Sequence, residues 1–233
     1  MQYNNQAYLS LVWKDPKERK QYLIGRLSKG EEFVFKYDDE IKNALKAGFH
    51  PLLAFSNLKQ EYHSKLMFPS FSSRLPDPKR KDINKILNKY NMDEYDAYTL
   101  LQRGGARLPI DSFEFIDPIL ENETGDIKRN FYVAGVRHYN KCEGKDCTLL
   151  DIPQAGDSLV LHIDENNPYD ENAVQVRTNS GKILGYVPRY YALAVKKHIL
   201  NGDNVDCKVE KINADNWCDV CMRASLLIEP NNN

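Results

Sequence analysis

The stretch Asn167-Pro168-Tyr169-Asp170-Glu171-Asn172 lies between two runs of alternating apolar character, Leu159-Val160-Leu161-His162-Ile163 before it and Ala173-Val174-Gln175-Val176 after it. Period-two alternation is the pattern of a half-buried strand. Pro168, Asp170 and Asn172 are turn residues, so the segment reads as a hairpin connection and commits its flanks to pair. Tyr169 is left over by that reading. A large flat side chain at the tip of a polar turn has little core to enter. It is placed to stack on a planar ligand such as a nucleobase, with Asp170 and Asn172 beside it to hydrogen-bond sugar or base edges.

The same patterns divide the rest of the chain. Strands are predicted over 8–13, 21–27, 32–37 and 112–116, with helices over 38–47, 79–90 and 94–103, the last stopped by Gly104-Gly105. The segment 50–78 is irregular and rich in large apolar residues that must bury against something. Residues 120–130 are polar and turn-rich, the best boundary. Beyond them, strands are predicted over 131–137, 159–163, 174–176, 182–187, 205–212 and 218–228. A helix over 188–200 is expected to turn Leu193, Ala194 and Val195 inward. Six short strands and one helix suggest a small closed or nearly closed β-barrel. The expected fold class is α+β: an N-terminal small antiparallel sheet with helices (1–119), a linker (120–130) and a C-terminal small β-barrel with one helix (131–229).

Charge narrows the function. The 233 residues carry a net charge of -1, divided between +3 for residues 1–119 (19 Lys/Arg, 16 Asp/Glu) and -4 for the remainder (13 Lys/Arg, 17 Asp/Glu). Neither half is the basic body that holds a long duplex by its phosphates. A nucleic-acid site here is expected to be small and built on stacking and end contacts. The N-terminus lacks a basic region followed by an apolar run, and no apolar stretch has the length of a membrane span, so a cytoplasmic protein is expected. Five cysteines without a secretory signal argue against a disulfide framework. Cys142 and Cys147, with Cys218 and Cys221, could supply four thiolates to a tetrahedral zinc if the two segments meet; the alternative is that they are ordinary strand and loop residues.

Two resemblances to known families add to this reading. Gly25-Arg26-Leu27, Phe33-Val34-Phe35-Lys36-Tyr37, Pro51-Leu52, Leu75-Pro76-Asp77 before a basic helix, and Asp96-Ala97-Tyr98-Thr99-Leu100-Leu101-Gln102-Arg103-Gly104-Gly105-Ala106 together resemble the N-terminal subdomain of HipA-type serine/threonine kinases over roughly 8–117. The kinase core that should follow, with its magnesium-binding carboxylates, is absent. Stand-alone versions of this subdomain accompany a separate kinase toxin and inhibit it. Val133-Ala134-Gly135-Val136-Arg137-His138-Tyr139, Asn166-Asn167-Pro168-Tyr169-Asp170-Glu171-Asn172-Ala173-Val174 and Gly185-Tyr186-Val187-Pro188 resemble the HIRAN domain over about 130–229. In fork-remodelling ATPases that domain binds the exposed 3′ end of single-stranded DNA. Arg137, Tyr169 and Asp170 fall on its DNA-contacting positions, and His138 takes a place where an aromatic is usual.

The main expectation is therefore a non-catalytic, antitoxin-like inhibitor of a HipA-like kinase chain, with Phe68 and Phe71 at the centre of the kinase interface and a HIRAN module for a further contact. The alternative is a protein that binds single-stranded DNA 3′ ends in repair or defence. The candidate nucleic-acid contacts are Arg137, His138, Tyr139, Tyr169, Asp170, Asn172 and Tyr186. An enzyme is the weakest reading. The five histidines form no HExxH or Cys-His pattern, no Gly-x-Ser-x-Gly elbow occurs, and Asp38-Asp39-Glu40 open a helix whose dipole they complement.

Overall fold

The computed structural model describes residues 7–108, 112–140, 153–213 and 220–231. They divide into two compact units, Met1–Pro118 and Ile119–Asn233, each with its own antiparallel sheet.

In the first unit, β1 (Tyr8–Lys14), β2 (Gln21–Lys29), β3 (Phe33–Tyr37), β4 (Tyr62–Ser64) and β5 (Phe113–Ile116) assemble in the order β4-β3-β2-β1-β5. The register of β1 against β2 shifts between Leu11 and Val12, where Ile24 is the extra residue on β2. The shift brings Tyr22, Ile24 and then Leu27 into one core despite their uneven spacing. Gly25 belongs beside it, since a Cβ there would lie 2.8 Å from the Lys36 carbonyl oxygen and 2.9 Å from the Phe35 ring. Among its described residues are four α-helices, α1 (Ile41–Lys46), α2 (Pro69–Ser72), α3 (Ile83–Lys89) and α4 (Ala97–Gly104), and a 3-10 turn at Leu53–Phe55. The helix expected from residue 79 begins four residues later because Asp77 holds Lys79 in a side-chain turn, Oδ1 accepting its N–H at 2.7 Å. Helix α4 likewise starts after Asp96, whose Oδ1 caps the Thr99 N–H at 2.8 Å, and ends at Gly105 in the left-handed region, φ +69°.

The irregular segment buries its aromatics in its own unit. Phe55 sits 4.5 Å from Phe35 and 5.1 Å from Phe68, centroid to centroid, and Phe71 packs 4.9 Å from Phe115. This corrects the expectation for Phe68 and Phe71: they are 8% and 2% exposed, so they fill the core and present no anchor to a partner. The five-stranded sheet, wider by β4 than expected, supplies the surface that covers them.

In the second unit, β6 (Ile127–Tyr132), β7 (Ser158–Ile163), β8 (Val174–Thr178), β9 (Ile183–Tyr186), β10 (Asn204–Ile212) and β11 (Met222–Glu229) run in the order β6-β11-β10-β7-β8-β9. Register shifts in β8·β9 and β10·β11 curl the sheet. The curl brings its two edges together just past β6: the Ala134 N–H donates to the Tyr186 oxygen at 2.8 Å, and the Tyr186 N–H returns to Ala134 at 2.9 Å. Gly185 permits that approach, because a Cβ there would overlap the Ala134 carbonyl oxygen.

Three expectations are corrected here. Residues 127–130 are the start of β6 and not linker, and Arg129 clips the preceding turn to it through Glu123 at 2.7 Å. The strand expected to run through 137 stops at Tyr132; Gly135, φ +74°, turns the chain into a short helix, α5 (Val136–Asn140). In α6 (Arg189–Leu200), Leu193 is half-exposed, and the core face is Tyr191, Ala192 and Val195, toward β8 and β10. Among the described residues, no helix is long and apolar enough to cross a membrane.

Candidate nucleic-acid interface

The 164–173 turn is held by its own polar side chains. Asn167 Oδ1 accepts the N–H groups of Tyr169 at 3.0 Å and Asp170 at 3.1 Å, and Asp170 Oδ1 accepts that of Asn172 at 2.9 Å. The Asp164 N–H donates to Ala173 at 2.9 Å and closes the base of the turn. With the backbone secured, the Tyr169 side chain is free of structural duty and 96% exposed. Asp170 keeps acceptor capacity beyond its bond to Asn172, since a carboxylate has several lone-pair sites.

A second cluster lies on the closing seam. The Tyr186 hydroxyl donates to Asp164 Oδ2 at 2.8 Å and receives Tyr139 Oη at 3.2 Å and Gln175 Nε2 at 3.3 Å. The Tyr139 and Tyr186 rings lie 5.7 Å apart at 57°. Asn140 fastens α5 by donating from Nδ2 to the carbonyls of Val136 at 3.1 Å and Leu184 at 3.3 Å. Gln175 is directly opposite Tyr186 in the ladder and is buried; its Oε1 accepts Arg177 Nε at 2.7 Å. Burial, with the hydrogen bonds to Tyr139 and Asp164, raises the Tyr186 hydroxyl above the usual tyrosine range. The same bond, with one from Asn167, holds the Asp164 carboxyl below its ordinary value.

Asp164 joins the two clusters. Its Oδ2 accepts from both Tyr186 and Asn167 Nδ2, the latter at 3.1 Å, and Asn167 carries the Tyr169 and Asp170 amides on its other oxygen. One carboxylate thus connects the half-exposed Tyr139–Tyr186 ring pair to the turn bearing Tyr169. Of the expected contacts, Tyr139 and Tyr186 meet directly, and Tyr169, Asp170 and Asn172 join them through Asn167 and Asp164. Arg137 and His138 are exposed on α5 just before Tyr139. Asp164, Asn167, Gln175 and Arg177 were not anticipated as site residues. A signal existed for two of them: an Asn immediately before Pro at a turn start, and a lone Gln inside a Val-Gln-Val strand.

Cys142, Cys147 and Cys218 of the possible zinc set lie outside the described residues, and Cys221 is buried just before β11. Among the described residues, no group of three or more His, Cys, Asp or Glu side chains is arranged to hold a metal.

The second unit is thus a curled, half-barrel six-stranded sheet whose seam carries an aromatic, acceptor-rich surface. The family model of the HIRAN domain matches residues 129–225, which supports a HIRAN domain over that span of the second unit. The crystal structure of the HIRAN domain of human HLTF is similar over 46% of this chain and 82% of its own, with 21% identity and a TM-score of 0.36. A crystal structure of a Lactobacillus plantarum protein is similar over 45% of this chain and 97% of its own, with 22% identity and a TM-score of 0.34. No curated protein matches the chain.

Proposed function

We propose that the second unit is a non-catalytic module that binds the end of a single-stranded nucleic acid, DNA in the first instance, by stacking bases on Tyr169 and on the Tyr139–Tyr186 pair. The observation that carries this reading is the 96% exposure of Tyr169 on a turn whose backbone is already pinned by Asn167. An aromatic ring held out in water on a rigid support loses little conformational freedom when a base covers it. Asp164 and Asp170 would repel a phosphate but accept a hydrogen bond from a sugar hydroxyl, which favours a terminus over the middle of a strand. The 3′ terminus is the end that the HIRAN resemblance implies. The net charge of -4 over residues 120–233 fits few phosphate contacts.

The kinase-inhibitor reading has less support. Its two nominated anchors, Phe68 and Phe71, are core residues, and the family match concerns residues 129–225 alone. The decisive experiment is direct binding of short single strands with a free 3′-hydroxyl against the same strands with that hydroxyl blocked. Free ends should bind more tightly. Equal affinity would remove the end-recognition claim.

A further inference from the structure

The positive charge of the first unit is concentrated in one place. Residues 79–89 hold five Lys/Arg and one Asp, a net of +4. The other residues of 1–119 hold 14 Lys/Arg and 15 Asp/Glu, a net of -1. The structure presents this segment as a supported face. On its inner side, Leu87 is buried with Met92 and Leu100, and Ile83, Leu75, Tyr90 and Tyr95 pack around them. On its outer side, Lys79, Lys81, Lys85 and Lys89 are all exposed. Lys85 and Lys89 are one helical turn apart on α3, and Lys81 precedes them by the same interval in the lead-in turn.

The one carboxylate of the segment is already engaged, since Asp82 takes Arg80 Nε at 2.8 Å and Nη2 at 2.9 Å. Among the described residues, no acidic side chain forms an ion pair with Lys79, Lys81, Lys85 or Lys89; the Lys89 ammonium lies 5.4 Å from the centroid of the Tyr90 ring. Like charges at helical spacing repel, and a chain that keeps four of them together, with the one acid among them tied to Arg80, keeps a standing attraction for an anion. From Lys81 to Lys89 the line runs about 12 Å, the form that suits a polyanion and not a single phosphate.

We propose that Lys79, Lys81, Lys85 and Lys89 form a second nucleic-acid contact, to the phosphates of a strand whose end is held by the Tyr169 site. The inference rests on the end-binding reading for the identity of its ligand. It assigns the two units different work: the second, acidic overall, recognises the end, and α3 of the first holds the backbone of the longer strand.

The test uses the full chain and a variant carrying Lys79→Gln, Lys81→Gln, Lys85→Gln and Lys89→Gln, with single strands of about 4 to about 40 nucleotides sharing one free 3′ end. All four positions are exposed, and an unchanged melting temperature checks that the variant is folded. Wild-type affinity should rise with strand length to a plateau, while the variant should match it on the shortest strands and show little rise. On the longest strands the salt slope should fall by roughly 0.7 per lysine removed, so the gap between the two proteins should shrink about fifty-fold between about 50 and about 200 mM salt. Identical length dependence and salt slope in the two proteins, with short strands still bound, overturn the lysine contact alone and leave the basic line to an acidic protein surface. Failure of both proteins to bind short strands, with the long-strand gap intact, overturns end recognition and keeps the lysine contact. No binding at any length overturns both.

Discussion

Tyr169 takes no part in holding the fold, being 96% exposed, so its replacement separates binding from stability. Tyr169→Ala is expected to leave the melting temperature unchanged and to cost about 1–3 kcal/mol of single-strand binding, the usual worth of one stacked base. Loss of stability, or unaltered affinity, would contradict the role given to it. Tyr186 differs because its hydroxyl is enclosed by hydrogen bonds. Its acidity is shifted upward, by burial first and then by Tyr139 and Asp164. A raised folded value means that the bond's contribution is complete below the ordinary tyrosine value and is lost only as pH rises through the higher folded one. An alkaline absorbance titration of wild type against Tyr186→Phe should therefore place the Tyr186 amplitude above pH ~10; an amplitude at or below that pH argues against the network. Asp164 runs the other way. Its folded value is depressed, by Tyr186 first and Asn167 second, so its ties are complete above about pH 4 and loosen only in stronger acid. Across the neutral range the two clusters stay joined.

At the scale of elements, the two predicted partner anchors show how burial changes the meaning of a residue. Phe71 lies between Phe55, Phe68 and Phe115, with centroids at 5.2, 5.9 and 4.9 Å. Phe71→Ala should destabilise the first unit by about 3–5 kcal/mol through the cavity it leaves. Denaturant unfolding measures this, and a cost well under 1 kcal/mol would mean that Phe71 is not the core residue its packing indicates. The sequence showed that the segment 50–78 had to bury its aromatics, but an apolar side chain does not encode whether its cover is its own sheet or another molecule. β4 is the element that tips the balance. It is only three residues long, too short for period two to declare itself, and it lengthens the sheet beside Phe35 and Phe55. Helix α5 is hidden in the sequence for a similar reason: Val133 to Arg137 is apolar enough for a strand, and the interruption comes from one positive-φ glycine, Gly135.

For the whole molecule, the two compact units give a direct expectation. Residues 119–233, produced alone, should fold and retain the preference for free ends, because the turn, α5 and the seam all lie within them. If the isolated second unit folds but has lost that preference, the first unit supplies part of end recognition and the division of work proposed above is wrong. What the amino-acid sequence determined by itself is everything governed by neighbours a few residues away. The Pro-Tyr-Asp turn with Tyr169 at its tip, the Gly104-Gly105 helix stop, the last five strands of the second unit and the placing of positive charge in 79–89 are all of this kind. Local backbone preference and side-chain period suffice for them. What only the tertiary structure decided depends on partners distant in the chain. The Ala134–Tyr186 seam joins residues from opposite edges of the second sheet, and the Tyr186–Asp164 bond brings a strand end onto a turn. Neither carboxylate nor phenol carries a mark of its partner in the sequence. Each becomes a site residue only when the curled sheet brings the phenol at the end of β9 against the carboxylate at the start of the turn.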